Sequence, residues 1–181
     1  MLADGARLAK DGWFAYSVLF EMIKIFDDWL DHTFCTSLDE NVLMHTTHGY
    51  GQYANRDVSD QNAFCYSDCS FDDFHIQYLV EKIKECVGNK VEFIKVLTNI
   101  QYMGMNSAFH SDDGDLTAIY MISPTLDNSG FFEYKGEGYR TINKVGFKQN
   151  RMIIHDDVEH RASSPETVRP RITIAFQMKS N

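Results

Sequence analysis

Cationic side chains are in short supply here: Lys and Arg together number 17 against 26 Asp and Glu, a formal charge of −9. That balance disfavours a nucleic-acid partner and an anionic membrane surface, while leaving room for a local basic pocket. Cysteine is scarce too. The four residues Cys35, Cys65, Cys69 and Cys86 are irregularly spaced, so a disulfide framework is not expected and reduced thiols fit a cytoplasmic setting. Cys65 and Cys69 could clasp a metal with His45 and His48, although the spacing matches no standard zinc knuckle. No apolar run approaches the ~20 residues of a membrane span. The opening MLADGARLAKDGWF also lacks the basic region, apolar core and small-residue cleavage site of a secretory signal. A cytoplasmic protein away from membranes is the expectation. Repeats, low-complexity tracts and linkers are missing as well, and 181 residues suit one domain with a sizeable core, expected to span 1–181.

What the sequence does have is periodicity that changes along its length. Trp13, Tyr16, Phe20, Ile23, Phe26 and Leu30 recur at steps of three and four, which predicts an amphipathic helix from Trp13 to Leu30. A second helix carries the stripe Ile76, Leu79, Val80, Ile83 and Val87, with Asp72 or Asp73 placed to cap its start and Gly88 to end it. Residues 33 to 70 hold no sustained period and read as loops and short strands, either a lid or a surface excursion. From residue 91 the period becomes two. Ile94, Val96, Thr98, Ile100 and Tyr102 share one face, and further strands are expected at 116–123, 131–134, 151–155 and 170–178. Helices followed by closely spaced strands predict an α+β fold, with residues 1–90 as helical support and a possible lid, and 91–181 as the β core.

The chemistry-bearing residues gather in the second half. In a strand, residues i and i+2 project to one side, so His110 and Asp112 offer two ligands on one platform. A third donor, His160, follows 160 − 112 = 48 residues later, just after the apolar run RMII. Two imidazoles and one carboxylate are the facial set of non-haem Fe(II) oxygenases. His-x-Asp can also simply cap a turn, and His155 is a rival third ligand. Asp113 and Asp115 flank Gly114 as turn residues. In the tail VRPRITIAFQM, Arg169, Arg171, Thr173 and Ala175 fall on one face and Ile172, Ile174 and Phe176 on the other. An arginine facing a barrel interior is costly unless an anion is bound there, and its planar fork grips a carboxylate bidentately. An edge strand with solvated arginines is the plainer reading.

Taken in order, His110-Ser-Asp112, His160 and Arg171-Ile-Thr173 resemble the signature of the 2-oxoglutarate- and Fe(II)-dependent dioxygenase superfamily. The stretches IQYMGMNSAFHSDD, LTAIYMIS, SGFFEY and QNRMIIHDDVEHRAS are similar to its prolyl-4-hydroxylase-like branch, over residues 94 to 178. The resemblance implies a double-stranded β-helix, a jelly-roll, cupin-like barrel. It implies Fe(2+) held by His110, Asp112 and His160, O2 and 2-oxoglutarate as cosubstrates, and ascorbate as an optional addition. By position, Arg171 pairs with the distal carboxylate of 2-oxoglutarate, helped by Thr173, and Arg169 is its rival at the other spacing that related families use. Tyr102 sits where a cosubstrate-binding tyrosine is common, whereas Met121 replaces a tyrosine that some prolyl hydroxylases place there.

The implied reaction is hydroxylation of a C–H bond in a protein or peptide side chain or a small metabolite, with 2-oxoglutarate converted to succinate. Two other functions use the same barrel. A zinc or manganese hydrolase or isomerase needs the three ligands but not the arginines. A non-enzymatic barrel binding an acidic ligand needs the arginines but not the ligands.

Overall fold

The structure is a computed structural model that describes residues 23–51, 64–124, 130–136 and 140–181. In chain order its elements are β1 (Ile23–Phe26), α1 (His32–His45), β2 (Gly49–Gly51), β3 (Phe64–Asp68), α2 (Phe74–Val87), β4 (Val91–Gln101), β5 (Leu116–Met121), β6 (Phe131–Lys135), β7 (Ile142–Gly146), β8 (Arg151–Asp156), β9 (His160–Ala162) and β10 (Arg171–Ser180). The strands form a seven-stranded sheet in the order β1-β8-β5-β10-β4-β3-β2 and a three-stranded sheet in the order β7-β6-β9. Every pairing is antiparallel. This is the α+β arrangement that the strand-rich second half predicts and the jelly roll that the resemblance implies.

Side-chain alternation decides which face of the large sheet does what. On β10, Ile172, Ile174, Phe176 and Met178 are fully buried against Val96 and Ile100 of β4, Ala118 and Tyr120 of β5, and the stripes Cys35–Leu38–Val42 of α1 and Ile76–Leu79–Ile83 of α2. Burying that face holds the helices on the sheet. The opposite face of the sheet turns toward β6 and β9 and closes over a smaller cluster of Met121, Phe132, Val145, Phe147 and Ile153.

The helix α2 begins and ends where its sequence signals place it. Asp73 Oδ1 accepts from the backbone N–H of His75 at 2.8 Å and of Ile76 at 3.1 Å, satisfying two of the donors that a helix start leaves free. Gly88 closes it at φ +88°, donating to the Lys84 carbonyl at 2.8 Å. The expected strands at 116–123, 131–134, 151–155 and 170–178 correspond to β5, β6, β8 and β10.

Two expectations are corrected. The helix expected from Trp13 to Leu30 is not helical in its second part: Ile23–Phe26 is strand β1, paired with β8 from Ile23↔His155 to Phe26↔Met152. Alternating β-branched isoleucines at 23 and 25 satisfy an edge strand as well as they satisfy a helix step, and the open edge of β8 selects the strand. The part of that helix before residue 23 lies outside the described residues. The stretch 33–70 is not loops and short strands throughout, because 33–45 belongs to α1, capped by Asp31. Among its described side chains the buried apolar ones are Cys35, Leu38 and Val42, set among Thr, Ser, Asp and Asn, so packing on the sheet rather than local pattern makes it a helix. Strands β2 and β3 do fall in that stretch, whereas 52–63, the centre of the expected lid, lies outside the described residues. No helix among the described residues is long and apolar enough to cross a membrane.

Candidate active site

The two sheets enclose a cavity of about 150 Å³. At one end the chain brings three donors together. His110, in the loop after β4, and His160, which opens β9, exchange backbone hydrogen bonds in both directions at 2.9 Å. Asp112 lies two residues beyond His110, with Oδ1 3.8 Å from His110 Nε2 and Oδ2 3.8 Å from His160 Nε2. The ligand atoms of all three lie within 4.8 Å of one another, and no other such group of His, Cys, Asp and Glu occurs among the described residues. His45, His48, Cys65 and Cys69 therefore form no clasp; His48 Nε2 instead contacts the Thr98 hydroxyl at 3.0 Å.

Backbone carbonyls fix the histidine tautomers. His110 Nδ1 is 2.9 Å from the Ala108 oxygen and His160 Nδ1 is 2.9 Å from the Val158 oxygen. A carbonyl only accepts, so each Nδ1 carries the proton and each Nε2 turns a lone pair toward Asp112. Asp112 is held by the Thr117 hydroxyl, donating at 2.6 Å, and by Gln177 Nε2, donating at 2.9 Å. Burial pushes the His160 imidazole down to about 3, reinforced by neighbouring His155 and only partly opposed by Asp112. Burial works to raise the Asp112 carboxyl, but His160, the Thr117 hydroxyl, His155 and His110 outweigh it and leave it below the usual aspartate value. A neutral imidazole and an ionised carboxylate are the forms that bind a divalent metal.

His155 does not join the group. It is fully buried behind His160, with ring centroids 4.6 Å apart, and donates from Nδ1 to the Asp156 carbonyl at 2.7 Å. Its Nε2 is buried without a partner.

Arg171 stands in the cavity wall with only 5% of its surface exposed. Its Nη2 donates to Gln101 Oε1, its guanidinium lies 5.2 Å from the Phe147 ring, and its Nε and Nη1 have no hydrogen-bond partner. Burial lowers its pKa to about 10, so it remains a cation at neutral pH. Gly130, at φ +78°, makes room for it: a Cβ there would sit 2.7 Å from Arg171 Nη1. Thr173 lines the same wall two residues along. Arg169 is elsewhere, half-exposed and bonded through Nη2 to Asp39 of α1 at 2.9 Å. Tyr102 is 42% exposed and outside the cavity. It lies one residue past the end of β4. Met121 does line the cavity, opposite Thr173 in the β5–β10 register.

The odd-numbered face of β4 is a part of the site absent from the candidate residues. Lys95, Leu97, Asn99 and Gln101 line the cavity, and their sequence signal is that they alternate with Ile94, Val96, Thr98 and Ile100. Thr117 and Gln177 were missed because each acts only through Asp112, a contact made across strands.

No protein-family profile and no curated protein matches the chain. Solved structures do. A prolyl hydroxylase from Trichoplax adhaerens, in complex with a hypoxia inducible factor oxygen degradation domain peptide fragment, aligns with a TM-score of 0.71 at 16% identity, over 88% of this chain and 84% of its own. The non-heme alpha ketoglutarate dependent epimerase SnoN from nogalamycin biosynthesis aligns at 0.68 and 14% identity, over 87% and 77%. A Pseudomonas putida prolyl-4-hydroxylase aligns at 0.67 and 10% identity, over 86% and 91%. In fold, the chain is a double-stranded β-helix of the kind that these prolyl hydroxylases and this epimerase adopt.

Proposed function

We propose that the chain is an Fe(II)- and 2-oxoglutarate-dependent oxygenase that hydroxylates a C–H bond of a protein or peptide side chain or of a small metabolite. One observation carries the reading: a His-Asp-His donor set shares a buried cavity with a guanidinium, Arg171, two of whose nitrogens have no protein partner. A buried cation left in that state calls for an anion, and a dicarboxylate long enough to reach a metal with its other end meets both demands.

His110, Asp112 and His160 would hold the iron on one side, leaving the cavity side open for ligands. Arg171 grips the distal carboxylate of 2-oxoglutarate with Nε and Nη1, Thr173 adds a hydroxyl, and Gln101 fixes the guanidinium from behind. Met121, Phe132 and Phe147 give that end of the cavity apolar walls that keep water out. Bound there, Fe(II) with O2 and 2-oxoglutarate supplies an oxidation in which one oxygen atom enters the substrate and the other enters succinate as carbon dioxide leaves. Arg169 is assigned to structure, since Asp39 already claims it, and Tyr102 is assigned no contact with the cosubstrate. A zinc or manganese hydrolase leaves Arg171 without a role, which counts against it.

The test is succinate production from 2-oxoglutarate by the Fe(II)-loaded protein in air, with product analysis for a gain of one oxygen atom. Succinate that depends on Fe(II) and disappears in His110→Ala supports the reading. No succinate from protein shown to hold Fe(II), or equal turnover with zinc, overturns it.

A further inference from the structure

On the cavity face of the β4–β10 ladder the opposed pairs, in order from the arginine end, are Arg171–Gln101, Thr173–Asn99 and Ala175–Leu97. The first pair is joined side chain to side chain, Arg171 Nη2 donating to Gln101 Oε1. The third is apolar. The middle pair is polar but unjoined: Asn99 Oδ1 is buried without a donor, and among the described residues Asn99 Nδ2 has no acceptor. A half-buried amide with neither end committed to protein is costly to the fold and open to a ligand. Opposed side chains on a ladder start from Cβ atoms about 5 Å apart, so one small group between Thr173 and Asn99 is within reach of both. On the other flank of β10, Thr173 and Ala175 face Met121 and Ile119 of β5, which keeps the polar side of this floor on β4.

We infer that Asn99 is a binding residue for the cosubstrate, donating from Nδ2 to the distal carboxylate that Arg171 grips. The inference rests on the oxygenase reading and adds to it the side chain that fixes how that carboxylate lies. A carboxylate offers about four lone-pair sites. Arg171 Nε and Nη1, both without protein partners, take one on each oxygen, and the Thr173 hydroxyl takes a third. Asn99 Nδ2, rising from the strand position opposite Thr173, takes the fourth. Because Oδ1 is the buried end of the amide, Nδ2 is the end turned to the ligand, and an acceptor-only group is what it suits. The next row, Ala175 and Leu97 with Ile119 beside them, presents no side-chain donor and receives the methylene groups. A five-carbon diacid thus meets donors at its far end and apolar walls along its middle, whereas a keto acid ending in a methyl group leaves Arg171 and Asn99 unanswered.

The experiment titrates the full chain, loaded with Fe(II) and kept free of oxygen, with 2-oxoglutarate and separately with 2-oxopentanoate, which has the same keto-acid end and a methyl group in place of the distal carboxylate. Binding is read from the visible absorption of the iron complex. Asn99→Leu is expected to raise the half-saturating 2-oxoglutarate about tenfold, the worth of one charge-assisted hydrogen bond, and to leave that for 2-oxopentanoate where it is. Asn99→Asp, which sets a carboxylate against the anion, is expected to raise the 2-oxoglutarate figure further still. Thermal melting of the ligand-free variants is the second readout: since the amide makes no bond to protein, Asn99→Leu should melt no lower than wild type. An equal loss for both keto acids, or a lower melting temperature, overturns the inference and makes Asn99 a structural wall residue. Unchanged titrations with both acids overturn it while leaving the oxygenase intact, whereas a wild-type protein that holds Fe(II) yet gives no absorption with 2-oxoglutarate removes the parent reading and this inference together.

Discussion

Arg171 and Gln101 face each other across the β10–β4 register, and the bond from Nη2 to Oε1 holds the guanidinium in the cavity wall while Nε and Nη1 stay without protein partners. The geometry makes Gln101 a neutral support: it orients the cation without cancelling it. Gln101→Glu is therefore expected to supply the missing anion from within. The half-saturating 2-oxoglutarate concentration should rise roughly 10–100-fold, the worth of a charged hydrogen-bonded contact, while thermal stability holds or increases. Titration calorimetry and a melting curve on the same protein check both halves.

Arg171→Met separates stability from binding in the same way. Replacing an incompletely paired buried cation by an apolar side chain is expected to stabilise the ligand-free protein by about 1–3 kcal/mol. The same change removes the bidentate grip, so saturation with 2-oxoglutarate should need far higher concentration. Arg169→Met should do the reverse: it leaves Asp39 buried without its cation, at 3% side-chain exposure, and lowers stability with little change in 2-oxoglutarate affinity. Denaturant melts of the two variants, each with and without 2-oxoglutarate, give the comparison.

Thr117→Val tests how Asp112 is held. The valine keeps the shape of threonine but loses the hydroxyl that donates to Oδ2 at 2.6 Å. Metal affinity is expected to fall about 10–100-fold, as for other partners of metal ligands, with the fold unchanged by circular dichroism. Fe(II) or Mn(II) titration measures it.

Asn150 is the expected stability hot spot on the helix side. Its Oδ1 accepts from the Leu30 N–H at 3.0 Å and the Tyr120 hydroxyl at 2.8 Å, its Nδ2 donates to the Leu30 carbonyl at 2.6 Å, and its φ is +63°. Asn150→Gly relieves the backbone but loses all three bonds; Asn150→Ala loses them and keeps the strain. Destabilisation of about 2–3 kcal/mol is expected for glycine and more for alanine, in proportion to the bonds lost and the left-handed backbone. Urea unfolding ranks the two.

These residues also mark how far the sequence could be read. His110, Asp112, His160, Arg171 and Thr173 could be picked out by their order and residue types; Arg171 and Thr173 do share one face of β10, whereas His110 and Asp112, expected at i and i+2 of a strand, lie in the loop between β4 and β5. The helix α2 was legible from its stripe and its two caps. By contrast, the buried apolar residues among the described side chains of α1 are Cys35, Leu38 and Val42, too narrow a stripe to stand out among polar neighbours until the sheet is there to receive it. The two arginines could not be ranked by spacing alone. What separates them is Asp39, a partner 130 residues away, and long-range pairs of that kind leave no local trace. Tyr102, grouped by its spacing with Ile94, Val96, Thr98 and Ile100, lies one residue past the end of β4 and outside the cavity. Alternation gives two faces, and only the packing of α1 and α2 on the even-numbered one leaves Lys95, Asn99 and Gln101 facing the cavity.

The most direct test of the central claim is anaerobic titration of the Fe(II)-loaded protein with 2-oxoglutarate, followed by the metal-to-ligand charge-transfer band in the visible. A saturable band is expected in the wild type, with its loss when Asp112→Ala and His160→Ala are combined and the same band at much higher 2-oxoglutarate in Arg171→Met. A wild-type protein that binds Fe(II) without developing the band, or an Arg171→Met variant that titrates like wild type, contradicts it.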